Sequence, residues 1–249
     1  MGGTLVEGLI KSQQVKAGDV CVADPAAEHR EKYRAMGAHV TADNREAAQW
    51  GDVVCVVVKP WIVESVLKGV ADVFNSKRQM LVVVAAGVSS GSIKSWMGAN
   101  CPPLFLAIPN IAISELSSMT FVVPVGATEE QTQTIVGMFD RMGQTMVTDE
   151  GHLACGTTLA SCGIAYALRY IRAASEGGVE IGFKAGEAKQ IVMQTVLGAV
   201  RLLESTGMHP EALIDLVTTP DGVSIKGLNE MEHAGFTSSV VRGLKAGLK

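Results

Sequence analysis

The chain has 249 residues, of which 47% are hydrophobic and 18% are charged, a composition typical of a folded α/β protein and not of a disordered one. Its formal net charge of −4, without a basic block, argues against a nucleic-acid groove. No apolar run reaches the roughly 18 residues of a membrane span, and no cleavable signal is visible, so we expect a cytoplasmic protein that binds neither nucleic acid nor membrane.

The cysteines and histidines show no metal-site pattern. No two cysteines form a C-x-x-C pair, and none of the five histidines lies at ligand spacing from a cysteine or another histidine. We therefore expect reduced thiols and no bound metal. The cysteines are Cys21, Cys55, Cys101, Cys155 and Cys162.

Strand and helix patterns alternate through the first part of the chain. The run at 53–58 is β-branched throughout and apolar on both faces, as expected of a central parallel strand. The alternation predicts a Rossmann-type doubly wound parallel sheet over residues 1–149. The predicted strands are 20–23, 39–41, 53–58, 80–85, 104–108, 120–125 and 144–147. The predicted helices are 2–10, 26–36, 44–50, 62–74, 89–97 and 129–142.

The first residues depart from this pattern. A sheet of this type opens with a strand and a G-x-G-x-x-G turn, whereas here the helix pattern begins at Gly2. Met1 and Gly2 correspond at most to the end of that turn. That strand would be central, so its two neighbours are expected to have unpaired edges, with fewer backbone donors for a pyrophosphate. Either a natural N-terminal segment is lacking from the sequence, or the protein binds dinucleotides poorly.

Polar residues follow several of the predicted strands, where doubly wound sheets bind their ligands. Asp24 is placed to accept the hydroxyls of an adenosine ribose, and it is equally suited to cap the next helix. Lys59 follows the longest strand and is either a surface lysine or a site residue. Asn44 is expected to cap its helix unless it also faces a cofactor. Asn110 lies in a polar turn at another strand end.

From Gly151 onward only helix patterns occur, which predicts an all-α domain over residues 150–249. Helices are expected at 157–174, ending at Gly177 and Gly178, and at 184–205 and 210–216. The helix at 184–205 is apolar around much of its circumference, more than a domain of about 100 residues can bury. We therefore expect a homodimer through these helices.

The stretch 217–228 combines hydroxyls, a proline and glycines ahead of a helix. Pro220 and Gly222 predict a tight turn over 219–222. Ser224 lies near the following helix start, where free N–H groups favour an anion such as a small carboxylate. An ordinary capped turn between two helices explains the same residues.

Over essentially its whole length, apart from the first strand, the chain resembles the pyrroline-5-carboxylate reductase family. The motifs that carry the resemblance stand in the family's order and spacing. They are Val58-Lys59-Pro60, Ala85-Ala86-Gly87-Val88, Gln194-Thr195-Val196-Leu197-Gly198, His209-Pro210, Thr218-Thr219-Pro220-Asp221-Gly222-Val223-Ser224-Ile225 and Ala234-Gly235-Phe236.

The resemblance implies NADPH- or NADH-dependent reduction of 1-pyrroline-5-carboxylate to L-proline, by a helix-interlocked dimer that in some members assembles further into rings. It implies catalytic roles for Lys59, Ser224 and Thr219, with Asn44 and Lys59 on the nicotinamide side. The implied substrate-binding residues are Thr219, Gly222, Val223 and Ser224. The implied cofactor-binding residues are Gly2, Asp24, Asn44, Val58, Lys59, Pro60, Ala86, Gly87 and Asn110.

Three segments depart from the family pattern. The P-N-T-P turn is Pro109-Asn110-Ile111-Ala112, and the G-S-G-P segment is Ser161-Cys162-Gly163-Ile164. G-G-x-T becomes Asp221-Gly222-Val223-Ser224, which places a carboxylate beside the expected carboxylate site unless Asp221 faces solvent or pairs with Lys226. Two alternatives therefore stay open: a reductase of another small imino or keto acid, and a non-catalytic dimeric binding protein. The carboxylate of Asp24 hints at NADH, because it repels a 2′-phosphate.

Overall fold

A computed structural model describes residues 1–248, which form two compact units. The first unit comprises Met1–Ser161 and the second begins at Cys162. The sequence predicts a domain boundary between residues 149 and 150, where helix α7 (Glu150–Gly156) begins. Helix α7 and most of the π-helical segment that follows it, Thr157–Cys162, belong to the first unit.

The first unit contains seven strands in two sheets. The strands are β1 (Cys21–Ala23), β2 (His39–Thr41), β3 (Val53–Val56), β4 (Met80–Val83), β5 (Leu104–Ile108), β6 (Ser118–Val125) and β7 (Gly143–Val147). The helices before α7 are α1 (Gly2–Lys11), α2 (Ala27–Ala35), α3 (Asn44–Trp50), α4 (Pro60–Val70), α5 (Ser90–Met97) and α6 (Glu129–Asp140). All seven predicted strands and six predicted helices are present, with ends that shift by a few residues.

The two sheets have the orders β1-β2 and β3-β4-β5-β6-β7. Pairing is parallel except between β5 and β6, which are antiparallel. The predicted Rossmann-type parallel sheet is confirmed, and it contains one antiparallel pair, β5–β6, that the sequence did not predict. The physical reason is the link between the two strands, which is short and contains only the 3₁₀ turn Ile111–Glu115. A parallel crossover needs a dozen or more residues.

The hydrophobic core of the first unit consists of two clusters of buried side chains. One cluster includes Leu67 of α4, Ile93 of α5 and Leu81 of β4. The other includes Leu5 of α1 and Phe139 of α6. Adjacent residues of β4 and β5 alternate between the clusters, as expected for buried strands covered by helices on both faces.

The second unit contains helices and no strand among residues 162–248. Its helices are α8 (Gly163–Glu180), α9 (Ala185–Thr206), α10 (Pro210–Val217), α11 (Val223–His233) and α12 (Phe236–Ala246). The predicted helix end at Gly177 and Gly178 is wrong, because α8 continues through both. A Cβ at Gly178 would lie 2.8 Å from the Cβ of Ala188, so this glycine permits close packing of α8 against α9. None of the helices in residues 1–248 is both long and apolar enough to cross a membrane.

Gly8 allows α1 to pack closely on the turn after β5. A Cβ added at Gly8 would lie 2.5 Å from the backbone oxygen of Ile113. We therefore expect Gly8→Ala to lower the free energy of unfolding by about 1–3 kcal/mol in denaturant titrations. Gly69→Ala in α4 is the matched control, because a Cβ there meets nothing within 4 Å. It is expected to be neutral or to stabilise by up to about 1 kcal/mol. Equal effects of the two substitutions would contradict the placement of α1.

Candidate functional site

A cavity of about 620 Å³ lies between β1 and β3 in the first unit. It is lined mainly by residues of α1, β1, α3 and β3, and it reaches the positions that follow the carboxyl ends of both strands. Four of the nine predicted cofactor residues line it: Gly2, Asp24, Asn44 and Val58. The other five, Lys59, Pro60, Ala86, Gly87 and Asn110, lie outside its lining.

Helix α1 begins at this cavity. Its N-cap residue, Met1, provides no side-chain hydrogen bond, so the first-turn N–H groups are available to an anion. A Cβ at Gly2 would lie 3.6 Å from the backbone oxygen of Val57, just beyond β3. A Cβ at Gly3 would overlap the hydroxyl of Tyr33, so a larger residue there requires that side chain to move. The sequence analysis did not identify Gly3 or Tyr33 as residues of this site. The available signal was the Gly2-Gly3 pair at a helix start, which is typical of a close approach by another segment.

Asp24 lies directly after β1 and combines the two roles expected for it. Its Oδ1 accepts a hydrogen bond from the N–H of Ala26 at 2.8 Å, which is a cap-like contact before α2. Its Oδ2 lies 3.1 Å from Nδ1 of His29. Arg30 does not pair with this carboxylate, since its guanidinium donates to the carbonyl oxygens of Asp24 and Pro25. The carboxylate stays partly exposed and borders the cavity.

The helix cap predicted for Asn44 belongs instead to its neighbour. Asp43 is the N-cap residue of α3, and its side chain accepts from the N–H of Arg45 at 2.8 Å. Asp43 can do this because it keeps an extended backbone, whereas Asn44 is already the first helical residue. The side chain of Asn44 is thus exposed at the cavity and is not used as a cap.

Lys59 and Pro60 form the start of α4. Lys59 is the N-cap residue with an extended backbone, and Pro60 takes the first helical position, where its missing N–H costs nothing. The ammonium of Lys59 lies 6.0 Å from the ring centroid of Trp61, whose side chain is 77% exposed. Trp61 was not singled out in the sequence, although an exposed tryptophan next to a strand-end lysine is a flat surface suited to stacking.

The remaining strand-end residues differ in accessibility. Ala86 and Gly87 are exposed after β4, and Gly87 has φ +77°, a conformation that favours glycine. Asn110 is buried, and its polar groups already have partners. Its Oδ1 accepts from the N–H of Ala112 at 2.9 Å, and its amide nitrogen lies 3.5 Å from the carbonyl oxygen of Ala160. In this structure Asn110 therefore organises the turn after β5.

Two thiols line the cavity, and neither is activated. Burial raises the pKa of the Cys55 thiol to about 12. Burial, and next the carboxylate of Glu46, raise the pKa of the Cys21 thiol. A thiol with a raised pKa is a poor nucleophile and a poor metal ligand at neutral pH. No group of three or more His, Cys, Asp or Glu side chains within residues 1–248 is placed to hold a metal.

In the second unit, the predicted turn precedes α11. The N–H of Gly222 donates to the carbonyl oxygen of Thr219 at 2.9 Å, which closes the turn. The positive φ lies at Asp221, at +60°, whereas Gly222 has φ −67° and is the N-cap residue of α11. A Cβ at Gly222 would lie 2.6 Å from Oγ1 of Thr219, so the glycine leaves room for that hydroxyl. The exposed Ser224 is the second residue of α11.

The charge of Asp221 is balanced within the same loop. Its Oδ1 lies 2.7 Å from Nζ of Lys226, and its side chain is 91% exposed. Both conditions that relieve repulsion of a nearby anion are therefore met: the carboxylate faces solvent and pairs with a cation. The loop thus presents a hydroxyl, a helix start and a neutralised carboxylate.

Family comparisons match both parts of the chain. Residues 150–249 match the family described as pyrroline-5-carboxylate reductase dimerisation, and residues 1–87 match the family described as NADP oxidoreductase coenzyme F420-dependent. Pyrroline-5-carboxylate reductase 1 of Dictyostelium discoideum is 33% identical over 98% of this chain, which spans 46% of that longer protein. The Arabidopsis thaliana pyrroline-5-carboxylate reductase is 30% identical, over 100% of this chain and 90% of its own length.

Solved structures agree with these matches. A Plasmodium falciparum pyrroline carboxylate reductase with NADP bound superposes with a TM-score of 0.90 at 20% identity, covering 100% of this chain and 92% of that one. A Streptococcus pyogenes 1-pyrroline-5-carboxylate reductase gives 0.87 at 25% identity, covering 99% and 93%. The likeness to the Plasmodium structure concerns the fold alone. The 30% identity across 90% of the Arabidopsis relative establishes kinship. This chain belongs to the pyrroline-5-carboxylate reductase family.

Proposed function

We propose that this protein uses NADH or NADPH to reduce 1-pyrroline-5-carboxylate to L-proline, a step of proline biosynthesis. The observation that carries the proposal is the 30% identity to a reductase named for this substrate, across all of this chain and 90% of the relative. The α/β unit with its open strand ends and the hydroxyl-bearing loop before α11 are the features this chemistry requires.

The first unit would hold the cofactor at its strand ends. The fit rests on the free N–H groups at the start of α1, which suit a pyrophosphate, and on the partly exposed carboxylate of Asp24, which suits ribose hydroxyls. When bound, the nicotinamide supplies the hydride. We assign Asn44, Lys59 and Pro60 to its nicotinamide side, and Val58, Ala86, Gly87 and Asn110 to the surrounding strand ends.

The loop before α11 would hold the substrate carboxylate. Thr219 offers its hydroxyl, and Val223 and Ser224 offer first-turn N–H groups that have no acceptor within the helix. The hydroxyl of Ser224 adds a donor at the same helix start. Little acid–base machinery is needed, because a protonated imine is already electrophilic. The chain's own task is to orient the imine carbon, exclude water and favour the protonated form.

A reductase of another small imino or keto acid is the second candidate. Asp221 favours this candidate, because it replaces the first glycine of the family's G-G-x-T pattern. It also forms an ion pair with Lys226. An exposed ion pair beside the carboxylate site adds polar partners for a substrate that carries a further polar group.

NADH is the proposed preferred cofactor. A 2′-phosphate placed at the ribose position would meet the carboxylate of Asp24, and like charges repel. The nearest guanidinium, that of Arg30, is already directed to two backbone carbonyl oxygens. Discrimination against NADPH therefore depends on the carboxylate of Asp24, whose basic side-chain contact is the imidazole of His29 at 3.1 Å.

We propose a homodimer through the helical unit as the working assembly. Further assembly of such dimers into rings, as the family resemblance implies for some members, is proposed as a higher oligomer. The family matched by residues 150–249 is described as a dimerisation family. Large apolar side chains of α9 are exposed in the single chain, and these are Ile191, Met193, Leu197, Val200 and Leu202. Covering such a surface is favourable by about 25 cal/mol per Å². All five cysteines are free, which supports the expected cytoplasmic location.

Ser224→Ala tests the carboxylate site. Removing a hydroxyl donor to a charged group costs about 1.5–3 kcal/mol, so kcat/KM for 1-pyrroline-5-carboxylate is expected to fall roughly tenfold to a hundredfold. Ser238→Ala, at an exposed position of α12, is the control and should leave kcat/KM unchanged. Unaltered kinetics in Ser224→Ala would remove this hydroxyl from the substrate site.

Asp24→Ser tests the cofactor preference. Serine keeps an acceptor for the N–H of Ala26 but removes the negative charge, so the ratio of kcat/KM with NADH to that with NADPH should fall by roughly tenfold or more. Asp19→Ser is the control, because Asp19 also lines the cavity but precedes β1. A ratio that stays the same in Asp24→Ser, or falls equally in both variants, would reject the assignment.

Light scattering of the purified chain tests the assembly. We expect a mass of at least twice the 26.2 kDa of one chain. Leu197→Lys places a charge on the exposed apolar face of α9 and should shift the mass toward the monomer. Gln133→Lys, at an exposed position of α6 in the first unit, should not. A wild-type monomer at micromolar concentration would exclude the proposed dimer.

A further inference from the structure

The carboxylate of Asp24 is held by the first turn of helix α2. Its Oδ1 accepts a hydrogen bond from the N–H of Ala26 at 2.8 Å, and its Oδ2 lies 3.1 Å from Nδ1 of His29. His29 is the third residue of α2, which begins at Ala27. Because an ionised carboxylate can only accept hydrogen bonds, Nδ1 of His29 carries the hydrogen of this contact.

The backbone that carries this carboxylate is fixed as well. The N–H of Asp24 donates to the carbonyl oxygen of Thr41 on β2 at 3.2 Å. The guanidinium of Arg30 donates to the carbonyl oxygens of Asp24 and Pro25, at 2.6 and 2.9 Å. Of the two neighbouring residues in α2, Arg30 therefore holds the backbone of Asp24 and His29 holds its side chain.

This arrangement leaves part of the carboxylate open to a ligand. An ionised carboxylate has about four lone-pair sites, divided between its two oxygens. The N–H of Ala26 uses one site on Oδ1, and the imidazole of His29 uses one on Oδ2. Within residues 1–248 no further hydrogen bond reaches this side chain, so each oxygen keeps an open site at the border of the cavity. These two acceptors match the neighbouring hydroxyls of an unmodified ribose, which can both donate.

We propose that His29 is a positioning residue that sets the cofactor preference through Asp24. By holding Oδ2, the imidazole keeps the carboxylate turned so that both oxygens are presented to the ribose hydroxyls. A 2′-phosphate has no donor to give at that position, and it brings a like charge. This inference rests on the proposed use of a nicotinamide dinucleotide, and it adds a second residue to the selectivity assigned to Asp24.

The imidazole is basic, so an opposite role has to be distinguished from this one. A protonated His29 that faced the ligand would attract a 2′-phosphate and favour NADPH. The contact of Nδ1 with the carboxylate argues against that role, because the charge of Asp24 balances an imidazole that it engages. The two roles predict changes of opposite sign when the imidazole is removed.

The test measures the Kd of NADH and of NADPH by titration calorimetry at one fixed pH. The preference for NADH is the Kd of NADPH divided by the Kd of NADH. In His29→Ala this preference is expected to fall by roughly threefold or more, the size typical of an exposed contact with a charged group. Alanine is a good helix former, so α2 is expected to persist. His29→Asn has a side-chain nitrogen as many bonds from the backbone as Nδ1, and it is expected to keep most of the preference.

Two controls isolate the route through Asp24. In an Asp24→Ser background, His29→Ala should have no further effect on the preference, because no carboxylate is left to position. His152→Ala removes a similar imidazole, which lies 2.7 Å from the carboxylate of Asp149 at the start of α7. It should leave the preference unchanged.

A preference for NADH that rises in His29→Ala would assign the imidazole to a 2′-phosphate and overturn the proposal. An unchanged preference, or an equal loss in the Asp24→Ser background, would also overturn it. Binding of neither nucleotide by the folded wild-type chain would overturn both the cofactor site and the role of His29. Failure of the proposed reaction alone looks different. Nucleotide binding with the expected changes, but no oxidation of NADH with 1-pyrroline-5-carboxylate, would refute the reaction and support the role of His29.

Discussion

The pairing of backbone hydrogen bonds in the first unit is the constraint on which the rest depends. Strands buried on both faces have no water to satisfy their N–H and C=O groups, so each edge needs a neighbour. From β3 to β7 this condition is met, and the strand ends on that side are fixed by a continuous ladder. Between β1 and β3 no backbone pairing joins the two sheets. Gly2, Asp24 and Asn44 line the cavity at this gap.

The proposed substrate site follows a different principle. The loop before α11 needs no cation of its own, since hydroxyls and uncapped N–H groups at a helix start attract a carboxylate. The change of a glycine to Asp221 is tolerated because the side chain faces solvent and pairs with Lys226. The proposed chemistry requires mainly that the hydride donor and the imine be oriented and kept dry.

Periodicity in the sequence predicted most of the fold, because β-branched runs such as 53–56 and the small-residue helices have strong local patterns. It missed the antiparallel β5–β6 pair, since only the length of the intervening link decides that orientation. The sequence also predicted that a helix ends at Gly177 and Gly178. The helix α8 continues through both, and the close approach of Ala188 explains why residue 178 is a glycine. Asp24 lies directly after β1, as its place in the sequence predicted, and its role in cofactor binding stays a prediction. Gly3 and Tyr33 depend on a contact between distant segments that no local pattern records, and the exposure of Trp61 is set by the fold.

As a member of its family, this chain is proposed to reduce 1-pyrroline-5-carboxylate with a nicotinamide cofactor. The most direct measurement follows the oxidation of NADH and NADPH with this substrate and quantifies L-proline in the same reaction. We expect cofactor oxidation matched mole for mole by L-proline, faster with NADH than with NADPH. Protein that melts cooperatively yet oxidises neither cofactor with this substrate would refute the proposed activity.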